Sequence, residues 1–288
     1  MFATAEFQDK VTLWSVGGRT RLTQIRTVLD FGAKRLVVLQ EQGFGLLSAA
    51  NFYGPVNAYD LEGNVIWSRK DLVGVQQLAA IPSQRELMIG VGSDGQPYRI
   101  LSALDGKEIT KLDGIKEVYA SSTTPLILAI TAQRSICLTE LRLTEVHSTT
   151  IWKRPLESFA VLHGCLSSKE VAYSEAGGAV YCLDMRGKQK WVVNPEKNRH
   201  FLRLAWNQVA ARWMAIDWDY ARGGAKRLLE ISETGVVRLV TDLGEPAESE
   251  FFATGERLVT SNGDILDISS GQVVWNYLEK GQTESLSK

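Results

Sequence analysis

The sequence predicts an all-β protein built from a repeated unit of about four short strands. Segments of five to eight residues rich in Val, Ile, Leu and aromatic residues are separated by Gly, Asn, Asp and Ser, as expected of strands joined by tight turns. Long segments with the 3.6-residue periodicity of a helix are missing. A turn motif also recurs every 36 to 48 residues, which is the period of repeats made of four short strands.

The motif is clearest in AYDLEGNVIW (58–67), YCLDMRGKQKW (181–191) and DILDISSGQVVW (264–275). Each copy has an apolar strand, an acidic residue, a turn glycine, and a tryptophan four positions after the glycine. The three tryptophans are Trp67, Trp191 and Trp275. Weaker copies have turn positions at Gly18, Gly106, Ser148 and Gly235. We expect the glycines to adopt positive φ in hairpin turns and the tryptophans to cover the joint with a neighbouring unit.

Four strands per unit and a period near 40 residues predict a seven-bladed β-propeller of four-stranded antiparallel blades, formed by the whole chain as one domain. Residues 2–33 supply three strands of an incomplete blade. The six whole blades are predicted at 34–72, 73–114, 115–155, 156–197, 198–246 and 247–280. A six-bladed ring with the N-terminal strands packed on an edge is the alternative. The polar tail EKGQTESLSK either closes the ring or leaves the seventh blade with three strands.

At the motif residues the chain resembles the WD40 and PQQ-like β-propeller superfamilies. The pattern Asp60, Gly63, Trp67, repeated at 184–191, is similar to the tryptophan-docking repeat of PQQ-like propellers. The strong form occurs in three of the seven units, and no copy has the Gly-His and Trp-Asp pairs of a strong WD40 repeat. The resemblance implies a propeller fold. Residues of a PQQ site cannot be mapped onto this chain, so no cofactor is expected.

Composition restricts the class of partner. The chain of 288 residues has 32 Lys and Arg against 33 Asp and Glu, which disfavours a nucleic-acid partner attracted by bulk charge. The longest aliphatic run, 126–130, is too short to cross a membrane, and the first ten residues lack a secretory pattern. Three cysteines without a C-x-x-C pair favour buried thiols in a reducing compartment. We therefore expect a cytoplasmic monomer that binds neither nucleic acid nor membrane.

Motifs for catalysis are sparse. Gly90, Gly92 and Gly95 form a G-x-G-x-x-G pattern, but a proline and strand-like residues follow where a nucleotide site needs a helix. The three histidines, His147, His163 and His200, have no second ligand at metal-binding spacing. We therefore predict no catalytic residue, no metal site and no enzyme activity.

Candidate binding residues lie in the segment 206–227, within the longest repeat. Strand alternation places Trp213 and Asp217 on one face, and Ile216 and Trp218 on the other. We expect Trp206 and Trp213 to belong to the core. The predicted loop between the second and third strands contributes residue types that dominate protein-binding hot spots, namely Trp218, Tyr220 and Arg222. The competing interpretation is that this loop folds back and buries its own rings.

A second aromatic loop of the same kind contains Phe52 and Tyr53, and the loop NPEKNRH, which joins two units, contains His200. In a propeller both kinds of loop emerge on the same face. We therefore predict one protein-binding face that contains Trp218, Tyr220, Arg222, Phe52, Tyr53 and His200. The predicted function is a non-catalytic interaction scaffold. The alternatives are an inhibitor or immunity-type protein that neutralises a toxin or enzyme, and a propeller hydrolase or lyase with a site in its central channel.

Overall fold

The fold is seen in a computed structural model of the chain. The structure describes residues 2–5, 10–15, 17–26, 35–41, 44–50, 55–81, 88–121, 124, 126–142, 147–158, 160–221, 223–245, 249–251 and 255–278. The strands of this part of the chain form one three-stranded and six four-stranded sheets. The N-terminal sheet contains β1 (Phe2–Ala5), β2 (Lys10–Ser15) and β3 (Thr20–Arg26). These are the three strands predicted in 2–33, whereas the tail at 279–288 lies outside the described residues.

The next three sheets follow in chain order. The second contains β4 (Arg35–Glu41), β5 (Phe44–Ala50), β6 (Val56–Tyr59) and β7 (Val65–Arg69). The third contains β8 (Val75–Ile81), β9 (Met88–Ser93), β10 (Tyr98–Ser102) and β11 (Glu108–Leu112). The fourth contains β12 (Ile115–Ala120), β13 (Leu126–Thr131), β14 (Ser135–Arg142) and β15 (His147–Pro155).

The last three sheets have the same order. The fifth contains β16 (Val161–Leu166), β17 (Glu170–Glu175), β18 (Val180–Asp184) and β19 (Gln189–Val193). The sixth contains β20 (Arg199–Asn207), β21 (Arg212–Asp219), β22 (Lys226–Ile231) and β23 (Val237–Gly244). The seventh contains β24 (Ser249–Phe251), β25 (Arg257–Thr260), β26 (Asp264–Asp267) and β27 (Val273–Asn276). Each four-stranded sheet lies inside one predicted blade range.

Every sheet is an antiparallel meander in which strands pair in chain order. The chain divides into two compact units, residues 1–133 with 139–149 and residues 134–138 with 150–288. In the first unit β4 packs on β8 and β8 on β12, and in the second β16 packs on β20 and β20 on β24. The first strands of successive sheets are therefore neighbours. This arrangement is a β-propeller of four-stranded antiparallel blades, as predicted.

Tryptophans of the motif connect one sheet to the next. Trp67 in β7 is 9% exposed, and its Nε1 donates a hydrogen bond to the carbonyl oxygen of Ala103, 2.8 Å away. Its ring lies over the turn glycine of the following sheet, since a Cβ on Gly106 would come within 2.7 Å of Trp67 Cδ2. Gly106 also has φ of +70°. The turn glycine therefore makes room for the preceding tryptophan as well as permitting the turn.

The same contact recurs twice in the second unit. A Cβ at Gly187 would lie 2.8 Å from the ring of Trp152, and one at Gly235 would lie 3.1 Å from Trp191 Cβ. Trp191 and Trp275 are 7% and 6% exposed. The prediction that Trp67, Trp191 and Trp275 are buried structural residues is thus confirmed.

The G-x-G-x-x-G pattern has a packing explanation. Gly90 and Gly92 lie inside β9, and the segment after Gly95 continues as β10 rather than as a helix. A Cβ on Gly90 would come within 2.6 Å of the Tyr98 hydroxyl, and one on Gly92 within 3.0 Å of the Tyr98 ring. Tyr98 is fully buried. The two strand glycines therefore provide space for this ring.

The three cysteines are free thiols, as expected from their spacing. Cys137 and Cys182 are buried, and Cys165 is partly buried. Burial raises the pKa of the Cys165 thiol to about 12. Among the described residues, no helix has the length and apolar character to cross a membrane.

Candidate functional site

Three of the predicted binding residues come together at one end of the sixth sheet. The prediction that His200 and Trp218 lie in loops is wrong, because His200 is at the start of β20 and pairs in register with Trp218 near the end of β21. Tyr220 does follow in the loop to β22. The ring centroids of His200 and Tyr220 are 4.9 Å apart in a stacked arrangement. Trp218 lies 6.4 Å from His200 and 6.3 Å from Tyr220. We call these three residues the aromatic patch.

Tyr220 is the exposed member of the aromatic patch. Half of its surface is accessible (50%), whereas His200 and Trp218 are half-buried. Its backbone N–H donates to the carbonyl oxygen of Asn198 at 3.1 Å, and its hydroxyl donates to Asn198 Oδ1 at 3.3 Å. Asn198 has φ of +66°, a conformation that asparagine tolerates better than most residues. The ring of Tyr220 is therefore exposed, while hydrogen bonds to Asn198 hold both its backbone and its hydroxyl.

Trp218 is partly covered by its own loop. A Cβ on Gly224 would come within 3.0 Å of Trp218 Nε1, and Gly224 has φ of +98°. The N–H of Gly224 donates to the carbonyl oxygen of Asp219 at 3.1 Å, which closes the loop. The loop thus lies against one edge of the Trp218 ring, whereas the ring of Tyr220 stays half exposed.

A buried ion-pair network lies beneath the aromatic patch. Arg199 Nε and Nη2 each donate to one oxygen of Asp217 at 2.7 Å, and Nη1 donates to Asp219 at 3.2 Å. Arg227 Nη2 also donates to Asp217 Oδ2, at 2.6 Å. Arg199, Asp217 and Asp219 are at most 8% exposed. Charged groups are found at this depth only when they are paired and hydrogen-bonded.

The network also fastens the two loops that flank the aromatic patch. Arg227 Nη1 lies 3.1 Å from Glu196 Oε2 in the loop before β20. Arg199 Nη2 donates to the carbonyl oxygen of Ala225 at 3.1 Å in the loop after β21. Residues from both loops and both strands are thus joined by charge-assisted hydrogen bonds, which are the stronger kind. The network could not be predicted from the sequence because its partners are far apart in the chain, as are Glu196 and Arg227.

The structure describes only some of the other residues that the sequence singled out. Arg222, Phe52 and Tyr53 lie outside the described residues. Trp206 and Trp213 belong to the core as expected, with ring centroids 5.0 Å apart.

The predicted alternation of β21 is confirmed. Trp213 and Ala215 lie in one hydrophobic cluster, and Met214 and Ile216 lie in another.

A second polar cluster occurs in the fifth sheet. Glu170 is buried, and its Oε2 accepts a hydrogen bond from Trp213 Nε1 at 3.1 Å. Its Oε1 pairs with Lys190. Because Trp213 belongs to the sixth sheet, this carboxylate connects adjacent blades. Its partners are structural side chains, so this cluster is part of the packing between blades.

His163 has a structural role in the described fold. Its Nδ1 accepts a hydrogen bond from the backbone N–H of Leu204 at 3.2 Å, which joins β16 to β20. Burial and the charge of Arg203 lower the pKa of His163 to about 3. Within the part of the chain that the structure describes, no three His, Cys, Asp or Glu side chains are grouped so that they could hold a metal ion.

Comparison with known proteins supports the fold alone. No family model and no curated protein matches the chain. Among solved structures 1278 chains match. One is the crystal structure of the computationally designed Ika8 protein, with a TM-score of 0.62 and 13% sequence identity over 95% of this chain and 82% of that chain. At this identity the likeness shows a shared fold, and the relationship to WD40 or PQQ-like repeats stays a prediction.

Proposed function

We propose that this protein is a non-catalytic, protein-binding propeller that acts as an interaction scaffold, with the aromatic patch as part of its contact surface. The observation that carries the proposal is Tyr220, whose ring is half exposed although both its backbone and its hydroxyl are fastened to Asn198. Leaving a large apolar side chain in water forgoes about 1.5–3 kcal/mol of burial free energy. A partner that covers the ring recovers part of this.

The buried ion-pair network beneath the aromatic patch favours binding because it orders the patch. Arg199 and Arg227 both donate hydrogen bonds to Asp217, so the strand that carries Trp218 and the loop that carries Tyr220 have little freedom to lose. A surface that is ordered before it meets its partner loses less conformational entropy on binding. Tyr and Trp are also enriched among hot-spot residues.

The finer structural predictions belong to the same proposal. We propose that the seven sheets are seven blades of one ring, with the three-stranded N-terminal sheet as the incomplete blade. The presence of seven sheets in the described residues supports this number. We also propose a cytoplasmic monomer with a WD40-like or PQQ-like repeat, whose partner is another protein rather than nucleic acid or a membrane.

Affinity capture with a matched pair of variants tests the proposal. Tagged wild type, Tyr220→Ala and Val209→Ala are used to capture partners from native lysate, and the captured proteins are identified by mass spectrometry. Val209 is 78% exposed in the β20–β21 turn, at the opposite end of the same sheet. It therefore controls for loss of any exposed apolar side chain.

We expect Tyr220→Ala to lose the partner with little change in melting temperature, and Val209→Ala to retain it. Capture that survives Tyr220→Ala contradicts the assignment of the patch. A captured toxin or enzyme whose activity is suppressed would favour the inhibitor alternative over the scaffold.

A further inference from the structure

The aromatic patch has an unused hydrogen-bond donor beside its exposed ring. Within the described part of the chain, Trp218 Nε1 donates a hydrogen bond to no protein acceptor, although the Trp218 ring contacts His200 and Tyr220. The Nε1 atoms of Trp152 and Trp191 are buried without a partner, whereas Trp218 Nε1 is not enclosed in this way. An indole N–H can only donate. A ligand on the patch therefore meets a free donor.

The loop around Trp218 places no side chain over this donor. A Cβ on Gly224 would lie 3.0 Å from Trp218 Nε1, so glycine at this position leaves the indole N–H clear. Asn198 supplies a second donor beside Tyr220. Its Oδ1 accepts from the Tyr220 hydroxyl, while its Nδ2 has no acceptor among the described residues. Both unused groups are donors, so a complementary ligand is rich in acceptors.

The surface continues from the aromatic patch onto the fifth sheet. The loop between β17 and β18 is Ala-Gly-Gly-Ala (176–179), which has no polar side chain. A Cβ on Gly178 would lie 2.5 Å from Pro195 Cγ and 3.3 Å from His200 Nδ1. A Cβ on Gly177 would meet no atom within 4 Å. The loop is therefore low and apolar beside His200, which leaves room for an extended chain across the two sheets.

The charged groups beneath the aromatic patch are paired with one another. Arg199 and Arg227 both donate to Asp217, and Arg199 also donates to Asp219. Glu196 lies 3.1 Å from Arg227. An ionic ligand therefore finds no unpaired charge in this network. The electrostatic complement of the free N–H groups is the partial negative charge of a neutral acceptor such as a carbonyl oxygen.

Backbone conformations differ in whether their carbonyl oxygens are free. A helix uses its carbonyls internally, and a β-strand brings N–H groups that need acceptors. A polyproline II segment has no internal hydrogen bonds, and its prolines carry a carbonyl but no N–H. Segments of this kind dock on surfaces lined by aromatic side chains. Of the three conformations, polyproline II is the one that brings free acceptors without free donors.

We propose that the partner docks through a proline-rich segment in the polyproline II conformation, which lies across the aromatic patch and the 176–179 loop. The inference rests on the proposed function, because it names the part of a protein partner that occupies the patch. A prolyl ring packs on the exposed ring of Tyr220, and a carbonyl oxygen of the segment accepts from Trp218 Nε1. The segment is extended before it binds, so it loses little conformational entropy.

Oligoproline binding tests this inference on the full-length protein. The chain has eight tryptophans, and labelling them with ¹⁵N gives one indole N–H signal for each. Trp218→Phe removes the donor, keeps an aromatic ring and identifies the Trp218 signal by its loss. The remaining indole signals show whether this variant is folded.

The probe is a capped oligoproline of about ten residues, long enough to form an extended polyproline II segment. A flexible glycine-serine peptide of the same length is the first comparison. The second is an acidic glycine-aspartate peptide, because Lys197 is exposed next to Asn198 in the chain.

We expect oligoproline at millimolar concentration to shift the Trp218 indole signal and to leave the signal of the buried Trp191 in place. The Kd, measured by the anisotropy of labelled oligoproline, should rise about tenfold in Trp218→Phe, the equivalent of one hydrogen bond. Tyr220→Ala should abolish binding because it removes the ring that contacts the proline. Val209→Ala, at the opposite end of the sheet, should bind like wild type.

Three results would overturn the inference. These are a Trp218 signal that oligoproline does not move, equal binding of the glycine-serine or acidic peptide, and oligoproline binding that neither Trp218→Phe nor Tyr220→Ala weakens. Each of them leaves the proposed function standing if Tyr220→Ala still loses the captured partner. Capture that survives Tyr220→Ala would instead refute the proposed function itself.

Discussion

Gly106 is subject to two separate constraints that the substitution Gly106→Ala would violate together. Its φ is +70°, and a Cβ at this position would lie 2.7 Å from the ring of Trp67. The left-handed conformation costs an L-residue about 1–2 kcal/mol. Forcing a methyl group into a packed contact costs about 1–3 kcal/mol. We therefore expect a loss of about 2–5 kcal/mol in the free energy of unfolding.

Gly95 provides a matched control for the first constraint. It has φ of +65°, and a Cβ there would meet no atom within 4 Å. Gly95→Ala should therefore lose only the conformational part, about 1–2 kcal/mol. The difference between the two glycine variants in their loss of unfolding free energy measures the cost of the contact with Trp67.

A double-mutant cycle isolates the contact directly. Trp67→Ala alone should cost about 3–5 kcal/mol, and Gly106→Ala in that background should cost only the conformational part. The coupling energy should then be about 1–3 kcal/mol. Urea unfolding followed by far-UV circular dichroism gives these values without using the deleted fluorophore. Additivity within about 0.5 kcal/mol would refute the reasoning, because the ring would then exert no constraint on the glycine.

Two further predictions concern buried titratable groups. Because the pKa of His163 falls from 6.5 to about 3 in the fold, the stability that it contributes is complete above pH 6.5 and is lost as the pH falls toward 3. The loss between pH 7 and pH 5 should be about 2 kcal/mol by urea unfolding, and an equal loss in His163→Gln would contradict this. Native protein should resist iodoacetamide at roughly pH 8 because burial raises the pKa of Cys165 and Cys182 and hides Cys137. Intact mass spectrometry before and after denaturation measures the modification, and adducts on the native protein would show that a thiol is accessible.

The ranges of the sheets could be predicted from the sequence because strand patterning and turn chemistry are local. The motif of 181–191 sets both a turn at Gly187 and a buried Trp191 within eleven residues. The alternation along β21 likewise separates Trp213 from Ile216 without any knowledge of strand pairing. Such features depend only on neighbours along one strand.

The network under the aromatic patch depends on the pairing between strands. Arg199 reaches Asp217 and Asp219 across β20 and β21, and the register of that pair shifts between Phe201 and Arg203. One extra residue in a strand changes which side chains face each other. A bulge of this kind leaves no local signature, so neither the burial of Arg199 nor the support it gives could be derived from spacing.

The contacts of the motif tryptophans all run in one direction along the chain, from each sheet to the one that follows it. Trp67, Trp152 and Trp191 each cover a turn in the sheet that follows, and the fifth sheet both receives the ring of Trp152 and supplies that of Trp191. A break in the chain therefore leaves unequal ends. The fragment before the break retains an uncovered indole, an exposed apolar surface that favours association with other chains. The fragment after it retains only an uncovered glycine turn, which exposes no such surface. Duplication of the fifth sheet as a whole repeat keeps each of these rings matched to a turn, whereas a cut between a tryptophan and its turn separates them.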